Sequence, residues 1–176
     1  MEYALLGWPP DGPTLRLDYR RFSYAGKFVM SATGKAVARE DEAIVAAVAF
    51  DEDRTDSDTL RLRYVTVRED RRGEGIGPRL CRFAAGRARD RGYDRVKIAV
   101  NNPFAFEALS KAGFAFTGEE TGVAELVMVR PGERTRESYQ AGLDAYRQRD
   151  LSETEVEFLR EREGRGPPEV IDRPAT

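Results

Sequence analysis

The residues best suited to chemistry lie together, in Val65-Thr66-Val67-Arg68-Glu69-Asp70-Arg71-Arg72-Gly73-Glu74-Gly75-Ile76-Gly77-Pro78-Arg79-Leu80. An apolar run ends at Val67, two arginines and three alternating glycines follow, and a helical pattern begins at once. Glycine lets backbone N–H groups turn outward and approach a ligand with no Cβ in the way. The first N–H groups of a helix have no internal partner, and the helix dipole makes that end partly positive. Such a corner can hold a phosphate or a pyrophosphate. Pro78 suits it, because the first helical turn can spare an N–H.

Two common phosphate motifs fall short here. A P-loop needs Gly-x-x-x-x-Gly-Lys-Ser/Thr, and no lysine follows these glycines. A dinucleotide fingerprint needs Gly-x-Gly-x-x-Gly, whereas Gly73, Gly75 and Gly77 alternate strictly. The pattern that fits is Arg-x-x-Gly-x-Gly at Arg72, Gly75 and Gly77. Further on, Val96-Lys97-Ile98-Ala99-Val100 reads as a buried strand. Asn102 then caps a helix that has Pro103 at its first position and Gly113 at its close. Taken alone, the glycine loop would equally serve as a strand-to-helix connection with solvated arginines. Together with Asn102, Ala105, Gly113 and Phe114, however, it resembles the GNAT superfamily of acyl-CoA N-acyltransferases over residues 35 to 130.

The resemblance implies an α/β (α+β) GNAT fold, a mixed, mainly antiparallel sheet of six to seven strands flanked by helices, splayed where the strands of the 60s and 90s diverge. It implies acetyl-CoA as co-substrate, with the pyrophosphate held by backbone amides of Arg72, Gly73, Glu74, Gly75, Ile76 and Gly77 and charge added by Arg71 or Arg72. The strand edge at Val65 and Val67 would meet the pantetheine arm, and Asn102 would belong to the same binding apparatus. The expected reaction is acetyl transfer to a primary amine of a small-molecule or protein acceptor, by direct attack in a ternary complex. An N–H near Val67 would stabilise the oxyanion.

Family members often carry a tyrosine acid in the helix before Gly113. Leu109 stands there, with Ser110 beside it. Ser110 and Tyr64 are then the candidate catalytic residues, Ser110 (or water) as the proton donor and Tyr64 as the pocket residue of its strand. Ser110 as a helix-surface serine and Tyr64 as a core tyrosine are the competing readings. Glu119, Glu120, Glu125 and Asp58 are the carboxylates a general base could come from. A catalytically weak acyl-CoA-binding or interaction module is the alternative function, favoured by Leu109 and by a compressed acceptor segment before residue 35.

Composition narrows the field. The net charge is −2, with 34% charged residues, so no basic surplus argues for nucleic acid. The absence of histidine removes His-based triads and His-ligated metal sites, and no metal is expected. The single cysteine, Cys81, excludes an intramolecular disulfide, fits a reducing cytoplasm and reads as a buried thiol. No apolar run reaches membrane-spanning length and no signal peptide is visible, so a soluble cytoplasmic protein is expected.

The elements that must position these residues are legible in part. Glu2–Trp8 reads as a strand, stopped by Pro9-Pro10-Asp11-Gly12. Leu15, Tyr19 and Phe22 predict a short helix, and residues 24–34 a loop with irregular helix. Residues 35–39 and 43–50 predict a hairpin, residues 51–58 a turn, and residues 60–67 a two-faced strand. A helix is expected from Gly77 to about Asp90, and strands at 115–117 and 124–129 split by Gly118–Gly122. We expect a domain over 1–130, a helical extension over 131–163 and a disordered tail over 164–176. Tyr139, Leu143 and Tyr146 share one helical face, and Ser152-Glu153-Thr154-Glu155 is a capping box opening another helix with Val156 and Leu159. Such short helices need a surface, whether their own core, a homodimer partner or a bound protein.

Overall fold

A computed structural model describes residues 1–122 and 124–175; Val123, and Thr176 at the end of the expected tail, lie outside the described residues. Among the described residues the chain forms seven strands and four α-helices, in two compact units.

The first unit comprises residues 1–96 and the chain end from Ile171. Its strands β1 (Glu2–Gly7), β2 (Gly34–Glu40), β3 (Ala43–Asp53) and β4 (Asp56–Val67) are antiparallel neighbours in that order. The runs Ala36–Ala38 and Val45–Phe50 are apolar without interruption because both faces of these strands are buried. The β2–β3 turn takes Asp41 and Glu42 at φ 50 and 68, the positive values a two-residue hairpin turn requires. Helix α1 (Ile76–Arg91) lays Leu80, Phe83, Ala84 and Ala88 on one face of this sheet, with the Tyr3 and Phe83 rings 6.0 Å apart. Cys81 is buried on the same helix, and loss of water pushes its thiol up to about 12. Strand alternation places Val37, Ala47, Ala49 and Tyr64 on the other face, where Phe28, Leu15 and Leu17 cover them.

That covering segment departs from the predicted helix. The Asp18 carboxylate accepts from the N–H of Arg20, and its backbone carbonyl accepts from those of Arg21 and Phe22, closing a turn; Leu15 N–H bonds the Phe28 carbonyl. Side-chain capture of the backbone by Asp18 competes with a helical ladder. The helix forms later, as a short 3-10 helix Ala25–Val29, and leaves Tyr19 exposed. The polar run of the 50s also differs from expectation, since β3 and β4 extend through it. The turn shrinks to Arg54-Thr55, fastened by Asp53 accepting from the N–H and hydroxyl of Thr55 at 2.9 and 2.8 Å.

The second unit, residues 97–170, begins within β5 (Arg95–Val100). It holds α2 (Pro103–Lys111), β6 (Ala115–Thr121), β7 (Glu125–Arg130), α3 (Arg136–Arg147) and α4 (Glu153–Glu161). Strand β7 lies between β5 and β6, and it pairs with β6 antiparallel. The glycine at 118 does not end β6; it sits in a bulge between Phe116 and Glu120. Helix α3 packs on β6, and α2, α3 and α4 touch one another. No helix among the described residues is long and apolar enough to cross a membrane.

Candidate functional site: the loop between β4 and α1

Strand β4 delivers the chain to the glycine loop through a 3-10 turn, Glu69–Arg71. Gly73 and Gly75 take φ of 84 and 78, the left-handed region that glycine enters without penalty. Gly75 is the N-terminal cap of α1 and Ile76, 4% exposed, anchors the helix start. A Cβ on Gly77 would lie 3.4 Å from Val67 Cγ2, so the helix begins directly over the end of β4. Among the described residues, no hydrogen bond engages the backbone N–H groups of Gly73, Gly75, Ile76 and Gly77. These unpaired donors, at the positive end of a 16-residue helix, form a cradle for an anion.

The side-chain charges are less generous. Arg71 bridges Glu40 at 3.0 Å and Glu74 at 3.1 Å, so its charge is compensated on the spot and its pKa is raised by those bonds. Arg72 instead donates to two neutral acceptors, the Val67 carbonyl at 3.2 Å and the Ser23 hydroxyl at 3.1 Å. Arg79 bends back over the turn, giving Nη1 to the Glu74 carbonyl at 3.0 Å. Of the two arginines the sequence offered, Arg72 keeps an uncompensated charge, and Arg79 joins it from the helix. The backward reach of Arg79 depends on the open face of Gly75, which residue order alone does not show.

The loop is tied to the segment ahead of β2. Arg21 pairs with Asp70 at 3.3 Å, Glu69 N–H bonds the Arg21 carbonyl at 2.9 Å, and Ser23 accepts from Arg72. Asp70 also binds Arg68, and hydrogen bonding to Arg68 holds its carboxyl below the usual range. Tyr64, half-buried on β4, meets the Tyr24 ring at 5.7 Å and has the Lys27 ammonium 5.7 Å from its ring centre. Val65 points to the opposite face, across from Val48.

In the second unit Asn102 caps α2 as expected, accepting from Ala105 N–H at 2.8 Å, with Pro103 next. Leu109 is buried, and Ser110 is 2% exposed, so the surface reading of that serine fails. Ser110 faces the interior of the unit, and its carbonyl accepts from Arg134. Glu120 is paired with Arg149 at 3.5 Å. A cluster that the sequence did not disclose lies nearby. Glu107, 5% exposed, accepts from the Tyr139 hydroxyl at 2.9 Å and from Arg162 Nε. Its helical spacing reads as surface, and only α3 and α4 enclose it. No group of three His, Cys, Asp or Glu placed to hold a metal occurs among the described residues.

The profile of the acetyltransferase (GNAT) family matches residues 2–114, and the chain belongs to that family. It has the family's α/β fold. A Bacillus subtilis acetyltransferase solved in complex with CoA is 16% identical, with a TM-score of 0.57, over 72% of this chain and 95% of that one. An IAA acetyltransferase from Bacillus cereus is also 16% identical, with a TM-score of 0.52, over 73% and 98%. A nourseothricin acetyltransferase reaches 24% identity over 55% of this chain, which spans 64% of that protein, with a TM-score of 0.46. At these identities the likeness is one of fold. No curated protein matches the sequence.

Proposed function

We propose that the chain is an N-acetyltransferase that moves the acetyl group of acetyl-CoA to a primary amine. The observation that carries this reading is the set of unpaired N–H groups at Gly73, Gly75, Ile76 and Gly77 leading into α1, with Arg72 and Arg79 beside it. A pyrophosphate is the ligand whose charge and spacing use several such donors at once. The loop's own carboxylates leave little net positive field, so the amides carry most of the binding.

The acceptor amine arrives uncharged and attacks the thioester carbonyl. A C–N bond forms, the C–S bond breaks, and the proton lost by nitrogen ends on the sulfur of CoA. An N–H near Val67 steadies the oxygen as it gains charge. Since a thiol has a pKa of about 8.5, the thiolate leaves near neutrality without a strong acid. Tyr64 shapes the acceptor side of β4, and with Ser110 buried, water returns the proton. Calorimetry with CoA, paired with CoA release over a panel of amines, tests the reading: micromolar binding with turnover on at least one amine is expected.

One observation favours a second reading, a weakly catalytic acyl-CoA-binding module. Leu109 is packed in the interior where the family often has its tyrosine acid. CoA binding without turnover on any amine would support that reading, and loss of binding would remove both.

A further inference from the structure

The segment that covers β4 beside the loop is charged differently from the rest of the chain. Residues 14–30 carry four cations, Arg16, Arg20, Arg21 and Lys27, against one carboxylate, Asp18, in a protein of net charge −2. Arg21 is paired with Asp70, whereas Arg16, Arg20 and Lys27 are exposed and have no ion pair among the described residues. Between them stand Tyr19 and Tyr24, 75% and 56% exposed, the latter held at φ 62. A tyrosine fixed in the left-handed region outside glycine or asparagine is a costly arrangement, and such residues gather at binding sites.

This face joins the loop. Tyr24 and Lys27 both lie against Tyr64, three residues before the end of β4, and Ser23 is bonded to Arg72. On the same strand face as Tyr64, Thr66 is 3% exposed and its Oγ1 has no hydrogen-bond partner. A buried hydroxyl left unpaired costs free energy, which a polar ligand group would recover. We propose, resting on the acetyl-transfer reading above, that the acceptor is an amine borne by a carboxylate-containing molecule, whose carboxylate is met by Lys27 and Arg20 and whose body lies on Tyr24 and Tyr64. The two cations are single, and Asp70 pairs with Arg21 next to Arg20, so the face suits isolated carboxylates and opposes a polyphosphate chain. A free acidic amino acid and the N-terminus of an acidic peptide share this chemistry.

The test is steady-state acetyl transfer by the full-length protein at low and high salt. Acceptors are aspartate, glutamate, their side-chain amides, and two short peptides with free N-termini that differ only in glutamate against lysine. Carboxylate acceptors should exceed their amide or lysine counterparts by about tenfold in kcat/KM, mainly through KM, with the advantage shrinking as salt rises. Preference for the free amino acids or for the peptide tells the two sources apart. Lys27→Glu should abolish or invert the preference while CoA affinity stays within about twofold, since Lys27 meets Tyr24 and Tyr64 and bonds no residue of the amide cradle among the described residues. Equal or greater kcat/KM on the amides and the lysine peptide would overturn the proposal. So would an unchanged preference in Lys27→Glu, or oligonucleotide binding on this face in place of carboxylate selectivity. CoA binding and transfer to uncharged amines would then survive intact, so failure here is distinct from failure of the acetyl-transfer reading.

Discussion

Arg72 Nε donates to the backbone carbonyl of Val67 at 3.2 Å, so the loop's arginine closes over the last residue of β4. Its Nη2 reaches Ser23 at the same time. One guanidinium therefore joins the strand edge, the amide cradle and the segment that covers the sheet. Neighbouring Arg71 is held between Glu40 and Glu74. The two adjacent arginines thus have different work, which their identical side chains conceal.

That difference predicts an asymmetric pair of variants. Arg72→Ala should weaken CoA binding by about tenfold, the scale of one lost charge-assisted contact to phosphate. Arg71→Ala should weaken it by no more than about threefold, because a compensated and exposed ion pair contributes little. Isothermal titration with CoA decides, and equal losses in the two variants would show that Arg71 leaves its carboxylates when the ligand binds.

Gly75 offers a sharper disruption. Its φ of 78 is unfavourable for any β-branched residue, and an added Cβ would stand 2.6 Å from Arg79 Nη1. Gly75→Val should abolish measurable CoA binding while costing about 1–2 kcal/mol of stability from the left-handed backbone. Gly77→Val should do likewise by pressing on Val67, 3.4 Å away from the first added atom. Circular dichroism would establish folding, and a folded variant with unchanged affinity would refute the assigned loop.

These arguments mark how far the sequence could be read. Gly75, Pro78 and Asn102 act through local backbone geometry, so their types and spacing announced the loop, the helix start and the cap of α2. The family motifs extend the same local logic. The segment at Leu15, Tyr19 and Phe22 misled because helical spacing says nothing of the Asp18 carboxylate taking the Arg20 N–H for a turn. Glu107 was invisible for the opposite reason: a lone glutamate on a helix becomes buried only when Tyr139 and Arg162 arrive from residues 32 and 55 positions away. Ser138 completes a capping box with Thr135 where a glutamate would be the usual signal, so the start of α3 also went unread.

Alkaline pH should expose two of the buried groups. Burial is the main force that raises the pKa of Tyr139 and Tyr146 above the ordinary 10.0, with the Glu107 charge adding to it for Tyr139. A raised folded-state value means that their stabilisation is complete below pH 10 and is lost as pH climbs from there through the folded value. Each unit above about pH 10 should cost about 1.4 kcal/mol per tyrosine until the folded value is reached. Denaturant midpoints measured between pH 8 and 11 should fall steeply at the top of that range. Tyr139→Phe should be less stable at neutral pH by about 1–3 kcal/mol, having lost its bond to Glu107, yet decline more gently in alkali. A parallel decline in the variant would show that Tyr139 ionises freely in the folded protein.

The C-terminal helices should prove indispensable to their unit. Tyr139, Leu143, Tyr146 and Leu159 are between 0% and 4% exposed, with the Tyr146 hydroxyl bonded to the Val100 carbonyl at 3.1 Å. Val156, expected on the same face, stays 39% exposed, and Phe158 takes its place, its ring 4.7 Å from Phe104. At Gly142 an added Cβ would lie 2.2 Å from Phe106, so α3 approaches α2 as closely as glycine allows. Burying each large apolar side chain stabilises by about 1.5–3 kcal/mol, and four of them together match the whole stability of an ordinary domain. Deleting residues 134–176 should therefore leave a protein with no cooperative melting transition and a strong tendency to aggregate. Two single changes keep the test readable if the truncation cannot be purified. Leu143→Ala should cost about 2–5 kcal/mol through its cavity. Gly142→Ala should cost about 1–3 kcal/mol by overpacking against Phe106. Melting temperature and solution mass report all three, and a truncated protein that keeps its stability and mass would show that α3 and α4 are carried on the second unit without supporting it.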